Sequence, residues 1–248
     1  MKYMGSLRRR LGFGVKENTL DKQESEAWFW QGFITDLIKW YNGEIKEMYG
    51  TKSPDISSRQ VLTNEKDSAI LAWHKAHQEA KYLYDLKVSK GFFNGKKLLD
   101  IGSGPMPSAT CFEGADLYCL EPLMDKYLRI GFPIHYYGNV KFIQACSENI
   151  PIQDDFFDAA ISVNALDHVD DFEKTALEIL RVLKPGGTLI FHLHYHRQTQ
   201  NEPLELDDQR VSEAFKGVPH FRKISESTAK MGSQCDPGET YTLWTNES

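Results

Sequence analysis

The sequence predicts an α/β protein, and three observations carry that expectation. From residue 97 onward, short apolar runs of strand length alternate with longer amphipathic runs of helix length. The first of the short runs, Lys97-Leu98-Leu99-Asp100-Ile101, leads straight into Gly102-Ser103-Gly104. The second, Leu117-Tyr118-Cys119-Leu120, ends on Glu121, 19 residues beyond Gly102. A strand, a glycine turn and a helix open the first crossover of a nucleotide-binding sheet, because glycine lets the backbone turn tightly and approach a ligand. An acid about 20 residues further on reaches a ribose hydroxyl pair.

The 248 residues carry a net charge of −6 and a 41% hydrophobic fraction, enough for a sizeable core. An acidic balance argues against nucleic acid as the main partner, since a phosphate backbone calls for a basic face. The four cysteines, at 111, 119, 146 and 235, form no CxxC pair and read as reduced thiols of a cytoplasmic protein. The start, Met1-Lys2-Tyr3-Met4-Gly5, lacks a signal-peptide apolar region. No run of 18 apolar residues occurs, so no membrane span is expected.

In chain order, Arg8-Arg9-Arg10 reads as a solvated basic cluster. Residues 24–49 carry Trp30, Phe33, Ile34, Leu37, Ile38, Tyr41, Ile45 and Met48 at three- and four-residue steps, which predicts a helix. A polar loop from Thr51 to Ser58, with Pro54, follows. A second helix is expected over 64–89. His74 and His77 share a face of it, but without a third ligand they read as core. Residues 1–90 thus form an N-terminal helical extension or lid, and 91–248 the main domain. Beyond Glu121 the pattern gives a helix at 123–130, strands at 140–144 and 156–163, a helix at 172–183 closed by Lys184-Pro185-Gly186-Gly187, and a strand at 188–193. A helix at 206–216 and strands at 221–224 and 240–244 complete it.

Taken together over residues 90–247, these stations resemble the class I S-adenosylmethionine-dependent methyltransferases. Leu98 to Gly104 resembles that family's glycine loop, and Glu121 its ribose-binding acid. Ser147-Glu148-Asn149-Ile150-Pro151 resembles its adenine loop, and Leu180 to Gly187 the turn before its fifth strand. Met106 stands where the family often has a third glycine, and Cys146 where it often has an aspartate, which leaves Glu148 or backbone to meet the adenine amino group. The resemblance implies a Rossmann-like, seven-stranded, mostly parallel sheet with helices on both faces and an antiparallel edge strand at 240–244. It implies S-adenosylmethionine as cofactor, bound by Asp100, Gly102, Ser103, Gly104, Glu121, Pro122, Ser147, Glu148 and Asn164.

Methyl transfer from a sulfonium needs in-line alignment, and a hydroxyl acceptor gains from proton removal. The segment Asn164-Ala165-Leu166-Asp167-His168 follows the fourth strand and is expected to face the methyl group. His168 has the titration range of a base, with Asp167 or Asp171 to orient it. His192, His194 and His196 alternate, so they share one face, where His194 or His196 meets substrate or the three hold a metal. Asp167, Asp170 and Asp171 are expected to cap the next helix rather than ligate. The expected function is methylation of a small-molecule hydroxyl, on a sugar or secondary metabolite, by His168, His194 and Asp167. The alternatives are methylation of an amine or of RNA, and a non-catalytic protein that binds the cofactor or a partner.

Overall fold

The computed structural model describes residues 22–247 apart from 56, 58, 60, 61, 63, 200 and 201, so the Arg8-Arg9-Arg10 cluster lies outside the described residues. Seven strands form the main sheet: β3 (Lys97–Ile101), β4 (Asp116–Leu120), β5 (Lys141–Ile143), β6 (Phe157–Val163), β7 (Leu183–Tyr195), β8 (Arg222–Ser227) and β11 (Thr240–Thr245), in the order β5-β4-β3-β6-β7-β11-β8. β5, β4, β3, β6 and β7 run parallel to one another. β11 runs antiparallel to both β7 and β8. This corrects the expected position of the antiparallel strand: β11 is inserted between two strands, and β8 takes the edge. Burial agrees, since five of the six β11 residues are buried while β8 alternates between exposed and half-buried positions.

Successive residues of the central strands fall into different cores, as a two-residue period dictates. Leu99, Ala160, Leu189 and Phe191 pack with α5 (Phe172–Val182) and α6 (Asp208–Ala214) through Phe172, Ile179 and Val211. Leu98, Ala159, Ile161 and Ile190 pack on the other face with Tyr82 and Leu86 of α3 (Glu79–Leu86). Helices therefore cover both faces. A third cluster joins α1 (Lys22–Tyr41), α2 (Glu65–Trp73) and α4 (Met124–Ile130) around Leu37, Trp40, Trp73 and Tyr127.

Several boundaries differ from expectation for identifiable reasons. α1 stops at Tyr41 rather than near 49, because Asn42-Gly43 follows and Gly43 takes φ +79°, with its N–H bonded to the Trp40 carbonyl. Ile45 and Met48 then belong to a hairpin, β1 (Glu47–Met48) and β2 (Thr51–Lys52), whose Tyr49-Gly50 turn has positive φ at both residues. The helix expected over 64–89 begins at the Asn64 cap, loosens into a π turn at His74–Gln78 and ends on Lys87 in the left-handed region. Asp171 caps α5 by accepting from Lys174 N–H. α5 gives way to extended backbone at Leu183, so Gly186 (φ +74°) shapes β7 rather than capping the helix. A second hairpin, β9 (Ala229–Lys230) and β10 (Ser233–Gln234), has no counterpart among the expected elements. Among the described residues no helix is long and apolar enough to cross a membrane.

Candidate active site

Because β3, β4, β6 and β7 are parallel, Gly102, Glu121, Asn164 and His196 all emerge at one end of the sheet, where ligands of open α/β folds sit. Gly102 adopts φ +71° and donates to the Leu120 carbonyl. A Cβ there would overlap Ala165 Cβ, so the turn after β3 presses on the loop after β6. Gly104 (φ +65°) donates its N–H to Glu121 Oε2 at 2.9 Å, and Leu123 N–H donates to Oε1 at 2.9 Å. Trp30 of α1 roofs this turn, 3.8 Å from the place of a Gly104 Cβ. The neighbouring Glu26 accepts from Tyr127 Oη at 3.0 Å.

Two buried acids stand behind the turn. Asp100 is fully buried and accepts from Tyr82 Oη at 3.2 Å through Oδ1, while Oδ2 has no hydrogen-bond partner. Burial pushes its carboxyl up to about 8, against the Tyr82 bond. Burial likewise pushes Glu121 up to about 7, although the Leu123 and Gly104 N–H groups oppose the shift. An orphaned carboxylate oxygen, a second raised carboxylate and a glycine cradle suit a ligand that brings both a cation and hydroxyl groups.

A carboxyl whose titration point rises on folding stabilises the fold below its unfolded value and loses that contribution as pH climbs through the folded one. For Glu121 that window runs from about 4.5 to about 7. In ligand-free protein, Glu121→Gln therefore gains stability relative to wild type between pH 5 and pH 8, by about 2–3 kcal/mol. Denaturant melts at the two pH values check this, and an unchanged difference contradicts it.

The other expected cofactor residues are tied into the same end. Ser147 Oγ and Thr175 Oγ1 of α5 share a buried hydrogen bond at 3.0 Å. Glu148 Oε1 accepts from the N–H groups of Asp170 and Asp171, which fixes the start of α5. Asn164 sits at φ +52° and its Oδ1 lies 2.8 Å from His192 Nδ1. Pro122 and the buried Ser103 flank the two turns.

Asp167 anchors the opposite side. Its side chain is 1% exposed, and Oδ2 lies 3.1 Å from His196 Nε2 and 3.9 Å from His168 Nε2. Burial works against ionisation of Asp167, yet His168 and the bond to His196 hold it below the usual carboxylate range. The bond to Asp167 raises His196 to about 9. Asp167 thus pairs with these histidines and does not cap the helix, which Asp171 does. The three alternating histidines do share a face: His192 and His194 stack on Tyr241 at 5.3 and 4.6 Å, and the rings of His194 and His196 are 4.7 Å apart. His194 Nε2 also lies 3.1 Å from Glu239 Oε2. His74 and His77 are elsewhere and engaged, with Pro107 and Thr110, and with Thr51, respectively.

Sequence reasoning did not find Glu239, Glu202 or Lys230. Lys230 is half-buried with Nζ 4.8 Å over the Tyr241 ring, and loss of solvent draws its titration point down to about 8. It lies on β9, a two-residue strand with no periodicity to reveal it.

The fold and this site define an open α/β domain with a glycine turn and two buried acids at the ligand-binding end of its sheet, and comparison with known proteins narrows the class. Residues 99–191 match the family model of a methyltransferase domain. An uncharacterized methyltransferase of Mycobacterium ulcerans is 34% identical over 98 residues, which cover 39% of this chain and 38% of that one. The ubiquinone/menaquinone biosynthesis C-methyltransferase UbiE of Marinomonas sp. is 29% identical over 202 residues, covering 72% of this chain and 78% of its own. The YcgJ protein of Bacillus subtilis has the same fold, with a TM-score of 0.52 and 20% identity over 62% of this chain and 72% of that one. Residues 99–191 thus form a methyltransferase domain, for which S-adenosylmethionine is the cofactor, and the chain matches only 38% of the length of the mycobacterial relative.

Proposed function

We propose that this chain is a methyltransferase acting on a hydroxyl of a small molecule, a sugar or a secondary metabolite. The observation that supports this best is the buried Asp167 carboxylate, with His196 at 3.1 Å and His168 at 3.9 Å, on the loop that presses against Gly102. S-adenosylmethionine supplies an electrophilic methyl group on a sulfonium. Asp100 offers its unpartnered Oδ2 to the ligand's cationic end, and Glu121 accepts from the ribose hydroxyls. Gly102, Ser103 and Gly104 line the approach. Pro122, Ser147, Glu148 and Asn164 shape the base side.

His168 takes the acceptor proton and Asp167 orients its ring, while His194 contacts the acceptor. The N-terminal helices act as a lid, a role that the Trp30 contact over Gly104 supports. The four cysteines form no disulfide, in keeping with a cytoplasmic setting. A second reading has one specific observation in its favour: two relatives, the UbiE protein and a sterol 24-C-methyltransferase of Pneumocystis carinii, are named for transfer to carbon. The same base would then remove a proton from an activated carbon.

The test is a S-adenosylhomocysteine-release assay over a panel of sugars, phenols and activated-carbon acceptors. His168→Ala lowers kcat about 10²-fold or more on the best acceptor and leaves cofactor affinity within about threefold. Equal turnover in that variant removes His168 as the base. Turnover confined to carbon acceptors selects the second reading.

A further inference from the structure

Four side chains converge beside the proposed acceptor position. Asp167 on the loop after β6, His194 and His196 at the end of β7, and Glu202 beyond it place one donor atom each within 4.8 Å of one another. From these residues we propose a binding site for a divalent first-row transition ion, Zn²⁺ or Mn²⁺.

The hydrogen bonding around His196 supports a cation. Its Nδ1 lies 2.7 Å from the Arg197 carbonyl, which only accepts, so Nδ1 carries the hydrogen. Nε2 then points at Asp167 Oδ2 from 3.1 Å. A bare lone pair facing a carboxylate at that distance is repulsive, so a proton or a metal ion stands between them. Metal-bound histidines hold their second ring nitrogen in this way, with N–H on a backbone carbonyl or carboxylate. Glu239, 3.1 Å from His194 Nε2, supplies the same support to the second imidazole.

The surrounding charge decides between proton and metal. Asp167, Glu202 and Glu239 surround the imidazoles, and Lys230 is a half-buried cation beside them. Three acids against one lysine leave a deficit that a dication offsets and a single proton does not. Asp167 is buried and its Oδ1 has no hydrogen-bond partner, so a ligand oxygen is in hand. Glu202 is pre-positioned by Thr199, whose Oγ1 donates to its carboxylate at 3.0 Å and accepts from its N–H at 3.0 Å. Two imidazoles with two carboxylates suit Zn²⁺, Mn²⁺ and their neighbours, not a dedicated Ca²⁺ cage. Donor atoms around a tetrahedral Zn²⁺ stand about 3.4 Å apart, so the widest pairs of the cluster close by about an ångström when the ion binds.

Binding of the ion does not depend on the reading of the acceptor. Its use does: two residues from Ala165, an ion here would polarise an acceptor hydroxyl and ease loss of its proton. The test takes full-length protein stripped with chelator and titrates it with ZnCl₂ and MnCl₂ alone, using calorimetry, metal analysis and thermal melts. The expected result is one ion per chain and a raised Tm. His194→Ala and Glu202→Gln each weaken binding about tenfold or more. A parallel titration with S-adenosylhomocysteine stays within about threefold in both variants, which separates failure of the metal site from failure of the methyltransferase reading. Should His194→Ala fail to fold, the half-buried Glu202→Gln carries the test alone. Wild-type protein that takes up no ion, or uptake undiminished in Glu202→Gln, overturns the proposal.

Discussion

Gly102→Val abolishes binding of S-adenosylmethionine and costs the fold about 2 kcal/mol or more. Two separate physical terms act at this position. Gly102 sits at φ +71°, where a β-branched residue is strained by about 1–2 kcal/mol. The added Cβ would also overlap Ala165 Cβ, so the loop carrying Asp167 and His168 has to retreat from the turn. The terms can be separated. Combining Gly102→Ala with Ala165→Gly relieves the overlap but not the backbone strain, so the pair recovers part of the stability and part of the affinity. Calorimetric titration and thermal melts on Gly102→Val, on Gly102→Ala alone and on the double variant read both terms. Full cofactor affinity in Gly102→Val would remove the turn from the binding site.

Asp167→Asn lowers turnover at least about 10²-fold while cofactor affinity stays within about threefold. The asparagine keeps the shape but loses the charge that His168 and His196 answer from 3.9 and 3.1 Å. With its side chain 1% exposed, Asp167 has no solvent to take over that role. Removing one partner of a buried charged pair leaves the other uncompensated, so a stability loss of about 3 kcal/mol or more accompanies the kinetic one. The readout that separates the two is kcat measured well below the variant's melting point, alongside the affinity for S-adenosylhomocysteine. A destabilised variant with normal kcat would make Asp167 structural only.

The central sheet was legible because its strands are buried on both faces and read as continuous apolar runs: Leu98-Leu99, Ala159-Ala160-Ile161 and Leu189-Ile190-Phe191 all sit where the pattern puts them. The glycine turn and Glu121 were legible for a different reason, since their spacing is set by the length of one β-loop-β crossing. Order at the far edge was not. Nothing local in Thr240–Thr245 tells an inserted strand from an edge strand; only its burial between β7 and β8 does. The end of α1 was missed because Ile45 and Met48 continue the helical spacing by chance, and Gly43 overrides it. At the site, the shared face of the histidines followed from a two-residue period. Glu202, Lys230 and Glu239 could not be placed, because they reach the cluster through loops and a short hairpin that no periodicity encodes.

The most direct test of the account is titration of the full chain with S-adenosylhomocysteine, run beside Glu121→Ala. The cradle formed by Gly102, Gly104 and Glu121 predicts one molecule bound per chain and an affinity cut by about tenfold or more in the variant. An isotherm with no saturable heat in the wild type, or the same affinity in Glu121→Ala, would contradict the assignment of the turn after β3 and the acid after β4 as the cofactor's seat.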